Sequence, residues 1–208
     1  MSIVVSITGG IGTGKSELSS YISSRGFPVI SSDTNAKQIM TSDSNVINMI
    51  KSAFGDESYL SDGSLNSAYI SSIVFGTSSG TGENLEKLNS IVHPRTIELM
   101  IDQVEELEKA GHELVFVESA LTFEAGLEEG FDYIIVVDSN EDNIIARVSQ
   151  RSGMTAAEIK ERINKQMPQS EKVRMADFVI SNNGTIDELR SSIDFIINVL
   201  LSLGDESD

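Results

Sequence analysis

A chain of 208 residues, of which 39% are hydrophobic and 23% are charged, can bury one substantial core but is short for two, so we expect a single domain over residues 1–208. It contains no cysteine, which excludes a disulfide framework, a thiolate metal site and a cysteine nucleophile. Its 32 acidic and 15 basic residues give a net charge of −17, which argues against nucleic acid as a partner.

The first residues lack the pattern of a secretory signal, and no stretch approaches the roughly 18 apolar residues of a membrane span. We therefore expect a soluble, cytoplasmic protein with no membrane partner. The expected oligomeric state is a monomer or a weak homo-oligomer.

The N-terminal segment carries a phosphate-binding motif. Residues Ser2–Thr8 form an apolar, β-branched run typical of a buried strand, and Gly9–Ser16 (GGIGTGKS) satisfy the P-loop pattern G-x-x-x-x-G-K-[ST]. Glycines let the backbone N–H groups of such a loop turn towards phosphate oxygens. Lys15 would then supply a positive charge to the β- and γ-phosphates of ATP, and the Ser16 hydroxyl would ligate Mg²⁺. The alternative is a glycine-rich turn that happens to hold a lysine.

A second short strand, Pro28–Ile30, ends shortly before Asp33. An aspartate just past the carboxyl end of a strand lies where open α/β sheets bind ligands, so Asp33 is a candidate catalytic base. The alternative is that Asp33 is the N-cap of a following helix that includes Lys37. Position alone does not separate these two interpretations.

Helical spacing of apolar residues predicts an insertion at about 34–111. Turn residues interrupt this pattern at 42–45, 61–64 and 76–82. Pro94, which follows His93, should bend or break its helix because it lacks an N–H and crowds the preceding turn. By analogy with other P-loop kinases, we expect this insertion to bind the second substrate.

Three further apolar runs predict buried parallel strands: Leu114–Glu118, Tyr133–Asp138 and Phe178–Ile180. Capping-box sequences at Thr155–Glu158 and Thr185–Glu188 predict helix starts. The last helix is expected to bury, before an acidic tail at 204–208, the residues Ile186, Leu189, Ile193, Ile196 and Leu200. Strands that alternate with helices after a P-loop predict an α/β fold: a three-layer P-loop NTPase-type parallel sheet of five strands.

A basic segment follows the fourth predicted strand. Residues 147–174 contain seven of the 15 basic residues and three acidic ones, a local charge of +4 (7 − 3). One interpretation is a solvated helical face. The other is a helical lid at about 147–172, whose arginines neutralise the transferred phosphoryl group and exclude water. Arg147 and Arg151 would share one helix face, and Arg162 would follow in the next helix.

The chain resembles the dephospho-coenzyme A kinases over nearly its whole length. The loop Thr8–Ser16 is similar to the family P-loop, Asp33 stands where the family has its proposed catalytic aspartate, and Leu88–Pro94 is similar to its I-x-H-P element. Further matches in the family's order and approximate spacing are Ile73–Phe75, Leu121–Glu124, Arg147, Arg151, Arg162, Gln166, Ala176–Asp177 and Asn182–Gly184.

The resemblance implies ATP- and Mg²⁺-dependent phosphorylation of the ribose 3′-hydroxyl of dephospho-coenzyme A, the last step of coenzyme A synthesis. The catalytic residues it implies are Asp33, which would accept the hydroxyl proton, Lys15, Arg147 and Arg151. The implied substrate-binding residues are Asp33, Lys37, His93 and Arg162. The implied nucleotide-binding residues are Gly10, Ile11, Gly12, Thr13, Gly14, Lys15, Ser16, Glu17, Asn182 and Gly184, with Ser16 also the implied metal ligand.

The sequence departs from the family pattern at Glu17, Ser31, Lys37, Asn66, Ser67, Ala120 and Ser181. Serine at position 67 and lysine at position 37, where the family has arginine, remove or weaken cationic contacts for substrate phosphates. Two alternatives stay open, namely another small-molecule or nucleotide kinase and a nucleotide-binding sensor without catalysis. His93 could be a structural residue at a bend or a substrate contact, and Glu118 could assist Mg²⁺ through water.

Overall fold

The computed structural model describes residues 2–75 and 81–205. The chain divides into two compact units, which we call the sheet unit (residues 1–31 and 104–208) and the helical unit (residues 32–103). The helical unit ends earlier than the predicted insertion at about 34–111, because the boundary falls inside a long helix.

The sheet unit contains a five-stranded sheet whose strands are all parallel. The strands are β1 (Ile3–Thr8), β2 (Val29–Ser31), β3 (Leu114–Glu118), β4 (Tyr133–Asp138) and β5 (Phe178–Ser181). They lie in the order β2-β3-β1-β4-β5, so that β1 and its P-loop are central. The predicted fold class and the five predicted strands are confirmed, with strand ends within one residue of those expected.

The described helices are α1 (Lys15–Ser24), α2 (Ser32–Ser42), α3 (Ser44–Phe54), α4 (Ser67–Phe75), α5 (Thr81–Lys109), α6 (Glu141–Ser152), α7 (Ala156–Asn164), α8 (Gln169–Met175) and α9 (Ile186–Asp205). Both predicted capping boxes are present. The Thr155 N–H donates to Glu158 Oε2 at 2.8 Å while the Glu158 N–H donates back to Thr155 Oγ1 at 3.3 Å. Thr185 and Glu188 make the same exchange at 2.7 and 3.2 Å. Among these helices, none combines the length and the apolar composition that a bilayer crossing needs.

The core of the sheet unit joins β1, β3 and β4 to α1 and α9. Val5, Ile7, Phe116 and Ile135 are fully buried on the strands. On α9 the buried side chains are Leu189, Ile193, Ile196, Ile197 and Leu200. The prediction that Ile186 is buried with them is wrong, since Ile186 is the first residue of α9 and remains 41% exposed, before the helix reaches the core.

The helical unit has its own apolar cluster. Its most buried members come from α2 to α5 and are Ile39, Val46, Ile50, Phe54, Tyr59, Ile70, Val74, Ile91 and Val92. Its polar groups lie mainly at helix ends: Asp43 caps α3 by accepting the N–H groups of Asn45 and Val46, and it also accepts from Arg95. A partly buried amide pair joins α2 to α5, in which Asn35 Nδ2 donates to Gln103 Oε1 at 2.6 Å. The unit is therefore held mainly by apolar packing.

Two expectations about this unit need comment. Pro94 was predicted to bend or break its helix. A break does not occur, because α5 continues through Pro94 as one helix of 29 residues, in which proline removes one backbone hydrogen bond. The turns predicted at 42–45 and 61–64 are present. In the third predicted turn, 76–82, residues 76–80 lie outside the described residues, as do residues 206–208 of the acidic tail, whereas Asp205 is helical.

Candidate active site

The loop between β1 and α1 requires glycine at several positions. Gly9, Gly12 and Gly14 have φ angles of 146°, 73° and 106°, which side chains rarely allow. A Cβ at Gly9 would lie 2.5 Å from the Val137 carbonyl oxygen, and one at Gly14 would overlap the side-chain amide of Asn182. The loop is thus in close contact with its surroundings on two sides, which a turn that holds a lysine by chance would not require.

The side chains of Lys15 and Thr13 donate hydrogen bonds to backbone carbonyl oxygens of the loop itself. The Lys15 ammonium donates to the carbonyl oxygens of Gly9 at 2.8 Å and Gly10 at 3.0 Å, and the buried Thr13 hydroxyl also donates to the Gly10 carbonyl at 3.0 Å. These bonds place a positive charge at the mouth of the loop, where the N-terminus of α1 adds its own positive dipole. The arrangement suits a polyphosphate.

Ser16 and Glu118 form a pair of oxygen ligands suited to Mg²⁺. The Ser16 hydroxyl donates to Glu118 Oε1 at 2.9 Å, and Glu118 is the last residue of β3, adjacent to the P-loop strand. Within the described residues no cluster of three or more acidic or histidine side chains could hold a metal. A site of one hydroxyl and one carboxylate fits Mg²⁺, which is usually bound by few protein ligands together with water and substrate phosphates.

The Asn182–Gly184 turn is tied directly to the P-loop. The side-chain amide of Asn182 donates to the Thr13 carbonyl at 2.8 Å, and its backbone N–H donates to the Asp138 carbonyl at 2.7 Å. The Asn183 side-chain oxygen accepts from the Asn140 N–H at 2.7 Å. The turn after β5 therefore fixes both the P-loop and the loop after β4.

The two arginines expected on one face of a lid helix have different surroundings. Arg147 is half-buried and donates to the Asn182 carbonyl at 2.8 Å and to the Ser139 hydroxyl at 3.1 Å. Arg151 lies in the last turn of α6 and is exposed. Arg162 is exposed on α7. The expectation that Arg147 projects freely from a cover is wrong, because its guanidinium holds the Asn182 turn.

Two glutamines between α7 and the start of α8 contact the first half of the P-loop. The Ile11 N–H donates to Gln166 Oε1 at 2.9 Å, and the Gly10 N–H donates to Gln169 Oε1 at 3.0 Å. Gln169 also donates from Nε2 to the Val137 carbonyl at 3.0 Å. Sequence reasoning gave Gln166 no role beyond the resemblance and missed Gln169, since side-chain amides without charge or motif give no signal.

An ion pair between a buried lysine and a partly exposed glutamate anchors α8. Lys172 is fully buried, and its ammonium lies 2.6 Å from Glu124 Oε1 and 3.2 Å from the Ala120 carbonyl. Glu124 Oε1 also accepts the Met167 N–H at 3.2 Å. Sequence reasoning counted Lys172 only as part of a basic segment, because lysine is rarely buried unless it is paired.

The lysines and the arginines of the basic segment have different surroundings. Its lysines are ion-paired: Lys160 with Glu141, Lys165 with Glu161 and Lys172 with Glu124, at 2.7, 2.8 and 2.6 Å. Arg151, Arg162 and Arg174 are exposed on their helices. The lysines therefore act mainly on structure, whereas these arginines remain accessible to an anion.

The surroundings of the Glu17 side chain do not suit phosphate binding. It is exposed, and its carboxylate lies 3.6 Å from the guanidinium of Arg190 on α9. Both side chains are about half exposed, so the contact adds little stability. Only the backbone of Glu17 is left as a candidate phosphate ligand, since a carboxylate repels the anion.

The helical unit carries the candidate acceptor residues. Asp33 lies in the first turn of α2, which begins at Ser32, so the N-cap interpretation is wrong. Asp33 and Lys37 are both exposed and four residues apart, so they share a face of that helix. His93 is half-buried inside α5, and this burial lowers its pKa below the ordinary value of 6.5. Asn66 caps α4 by accepting the Tyr69 N–H.

Comparisons with known proteins decide the family. A family model described as dephospho-CoA kinase matches residues 3–188. The chain belongs to the dephospho-CoA kinase family. A relative named dephospho-CoA kinase from Listeria monocytogenes is 37% identical over 93% of this chain and 94% of its own length, and one from Chlorobaculum tepidum is 34% identical over 98% and 97%. The solved dephospho-CoA kinase of Campylobacter jejuni superposes with a TM-score of 0.70 at 25% identity, over 100% of both chains.

These findings confirm the family inferred from the sequence, and with it the activity. Dephospho-CoA kinases phosphorylate dephospho-coenzyme A at the expense of ATP, in the last step of coenzyme A synthesis, and this chain is an ATP-dependent kinase of that kind. The competing interpretations, a different small-molecule kinase or a silent sensor, have no such support.

Proposed function

We propose that this chain binds ATP and Mg²⁺ at the loop Gly9–Ser16 and transfers the γ-phosphoryl group to the ribose 3′-hydroxyl of dephospho-coenzyme A. The observation that carries the proposal is the geometry of the loop. Three of its four glycines have positive φ angles, the Lys15 ammonium donates to the Gly9 carbonyl, and the Ser16 hydroxyl donates to Glu118 at 2.9 Å. Each of these features suits a triphosphate with its metal ion.

In this proposal Ser16 and, through water, Glu118 hold Mg²⁺. The ion would neutralise charge on the β- and γ-phosphate oxygens when bound. The backbone of residues 12–17 would bind phosphate oxygens, while Gly10 and Ile11, whose N–H groups are bonded to Gln169 and Gln166, would line the nucleotide site. The turn from Asn182 to Gly184 would border the adenine base. Its rigid ties to Thr13 and Arg147 support that role.

Lys15 would exchange its bonds to the Gly9 and Gly10 carbonyls for phosphate oxygens. Arg151 would neutralise the transferred phosphoryl group, a role supported by its exposure four residues beyond Arg147. Arg147 would contribute by holding the nucleotide turn. Positioning and electrostatics supply most of the rate in such a reaction.

The acceptor residues are proposed to be Asp33, Lys37, His93 and Arg162. Asp33 would orient the 3′-hydroxyl and accept its proton, although a loose transition state needs only modest help from a base. Lys37 and Arg162 would attract the phosphates of the substrate. His93 would offer a ring that is neutral at pH 7, because burial lowers its pKa.

The setting we propose is a cytoplasmic monomer or weak homo-oligomer that does not bind nucleic acid. The net charge of −17 supports the last point, since it repels phosphate backbones over most of the surface.

The test is a direct assay of product. Purified protein is incubated with ATP, Mg²⁺ and either dephospho-coenzyme A or AMP, and coenzyme A and ADP are measured for the wild type and Asp33→Asn. We expect coenzyme A from the wild type, no phosphorylation of AMP, and a loss of about 10²–10³ in kcat for Asp33→Asn.

The matched control is Asp102→Asn, which removes an exposed carboxylate from the same unit and should keep wild-type turnover. Turnover by Asp33→Asn equal to that of Asp102→Asn would remove Asp33 from the mechanism. ATP consumption without coenzyme A formation would contradict the acceptor.

A further inference from the structure

Two glutamine side chains accept hydrogen bonds from backbone N–H groups of the P-loop. In a nucleotide-binding loop, such N–H groups are expected to bind phosphate. Gln166 accepts the Ile11 N–H at 2.9 Å and Gln169 accepts the Gly10 N–H at 3.0 Å. Both acceptors are uncharged. A loop amide bonded to a neutral oxygen of its own chain is held in place without the repulsion that a carboxylate would exert on a triphosphate.

The segment that carries both glutamines is itself bonded to other parts of the sheet unit. Gln169 donates to the Val137 carbonyl at 3.0 Å, so one side chain bridges the end of β4 and the loop. Its helix, α8, is anchored three residues later by the fully buried Lys172, which pairs with Glu124. The same Glu124 oxygen accepts the Met167 N–H, next to Gln166, at 3.2 Å.

This anchoring distinguishes two possible roles for the glutamines. If the glutamines were a gate that ATP displaces, they should lie on a segment that can move away from the loop. That segment should then make few other hydrogen bonds. Here the segment from Gln166 to Lys172 is bonded to Glu124, Ala120 and Val137, none of which belongs to the P-loop. Moving this segment away from the loop would therefore disrupt several bonds at once, including the contact of Glu124 with the buried Lys172.

We infer that Gln166 and Gln169 are positioning residues, which fix the first half of the P-loop so that the rest of the loop and Lys15 are aimed at the transferred phosphoryl group. This inference rests on the proposed function. They act through the backbone of Gly10 and Ile11 and need not contact the substrate. Because misplacement of catalytic groups by about 1 Å can cost roughly 10²-fold in rate, even a small relaxation of the loop should be measurable.

The first arm of the test measures the contact itself, without substrate. Backbone amide hydrogen exchange is followed by NMR in the full-length, nucleotide-free wild type and in Gln166→Met and Gln169→Met, which keep the side-chain length but remove the acceptor. Faster exchange is expected at Ile11 in the first variant and at Gly10 in the second. In Gln166→Glu, which retains an acceptor oxygen, the Ile11 amide should stay protected.

The second arm measures what the contact does. Each methionine variant should lose about tenfold in kcat, while its Kd for ADP stays within about threefold of the wild type. A purely structural role would lower the unfolding temperature without this split between kcat and Kd. Gln150→Met is the matched control, since Gln150 is exposed on α6 next to Arg151, and its exchange, kcat and Kd should match the wild type.

Three results would overturn the inference: unchanged exchange at Gly10 and Ile11, unchanged kcat in both methionine variants, or tighter ADP binding, as a displaceable gate predicts. No coenzyme A from the wild type would instead contradict the proposed function, and the inference with it. Failure of the inference alone is recognised by an active wild type with equally active variants.

Discussion

The sheet unit and the helical unit are stabilised in different ways. Around the P-loop, buried and partly buried polar groups are bonded to one another: Asn182 to Thr13, Arg147 to Asn182, and Lys172 to Glu124. In the helical unit the interior is an apolar cluster, and the candidate substrate residues Asp33 and Lys37 are exposed.

This difference follows from what each unit must bind. Phosphate oxygens need backbone and side-chain donors in fixed directions, which buried hydrogen bonds can provide. An acceptor held by long exposed side chains on helices needs much less fixed geometry. We therefore expect substitutions of polar residues to cost more stability near the P-loop than in the helical unit.

The largest contrast is expected between two glycines. Gly14 and Gly63 both have positive φ, of 106° and 84°, but a Cβ at Gly14 would overlap Asn182, whereas one at Gly63 would meet open space. Gly14→Ala should reduce kcat/KM by about 100-fold or more, because it displaces the loop or the Asn182 turn. Gly63→Ala should cost only about 1–2 kcal/mol of stability, from its left-handed backbone.

Steady-state kinetics and urea unfolding of both variants test this contrast. Near-normal kinetics for Gly14→Ala would mean that the contact between the loop and the turn does not constrain catalysis.

The next contrast is between two ion pairs. Glu124→Gln leaves the Lys172 charge buried without its partner and should lower the free energy of unfolding by about 3 kcal/mol. Arg95→Gln breaks the pair with Asp43 in the helical unit, where Arg95 is 46% exposed, and should cost less than about 1 kcal/mol. Denaturant unfolding with matched m-values gives both numbers. Equal losses in the free energy of unfolding would mean that burial does not determine how much each ion pair contributes to stability.

A smaller effect should separate the two arginines of α6. Arg147→Met removes hydrogen bonds to Asn182 and Ser139 and should lower stability by about 1–2 kcal/mol while raising the Kd for ATP. Arg151→Met should change stability by less than about 0.5 kcal/mol but lower kcat. Thermal unfolding, calorimetry and turnover are compared for both. If Arg151→Met were the less stable variant, their assigned roles would be reversed.

The smallest effect concerns pH and His93. Burial lowers the pKa of folded His93, whereas the unfolded residue titrates near 6.5. Above pH 6.5 the His93 ring is neutral in both the folded and the unfolded state, so its titration does not change the free energy of unfolding. As the pH falls below 6.5 the unfolded state takes up the proton first, so stability falls until the folded pKa is reached. The wild type should therefore lose more stability between about pH 7.5 and pH 5.5 than His93→Gln does.

His112→Gln, measured in the same way by urea unfolding, controls for loss of a histidine as such. An equal pH dependence in the wild type and His93→Gln would contradict this account of His93.

Sequence reasoning reached the fold and the phosphate-binding loop because both depend on local patterns. The strand Ile3–Thr8 is apolar throughout, and the motif ending in Lys15 and Ser16 is contiguous. The capping boxes at Thr155 and Thr185 were predictable for the same reason, since their partners lie three residues away.

What escaped prediction depends on partners far apart in the chain. Gln169 meets Gly10 across 159 residues and Lys172 meets Ala120 across 52, so no spacing rule connects them. Arg147 was expected to be a mobile charge, because its sequence neighbours do not indicate that Ser139 and Asn182 surround it. Pro94 was expected to bend or break a helix, and α5 is not broken there, because a helix of 29 residues tolerates one missing backbone hydrogen bond.

The most direct test of the central claim is to measure binding of each substrate separately, by titration calorimetry, to the wild type, Lys15→Met and Lys37→Met. We propose that ATP with Mg²⁺ is bound by the sheet unit and that the helical unit contributes to acceptor binding. Lys15→Met should raise the Kd for ATP about tenfold or more and leave the Kd for dephospho-coenzyme A within about twofold of the wild type. Lys37→Met should raise the Kd for dephospho-coenzyme A about tenfold or more and leave the Kd for ATP within about twofold. Loss of ATP binding in Lys37→Met, or unchanged ATP binding in Lys15→Met, would contradict the account.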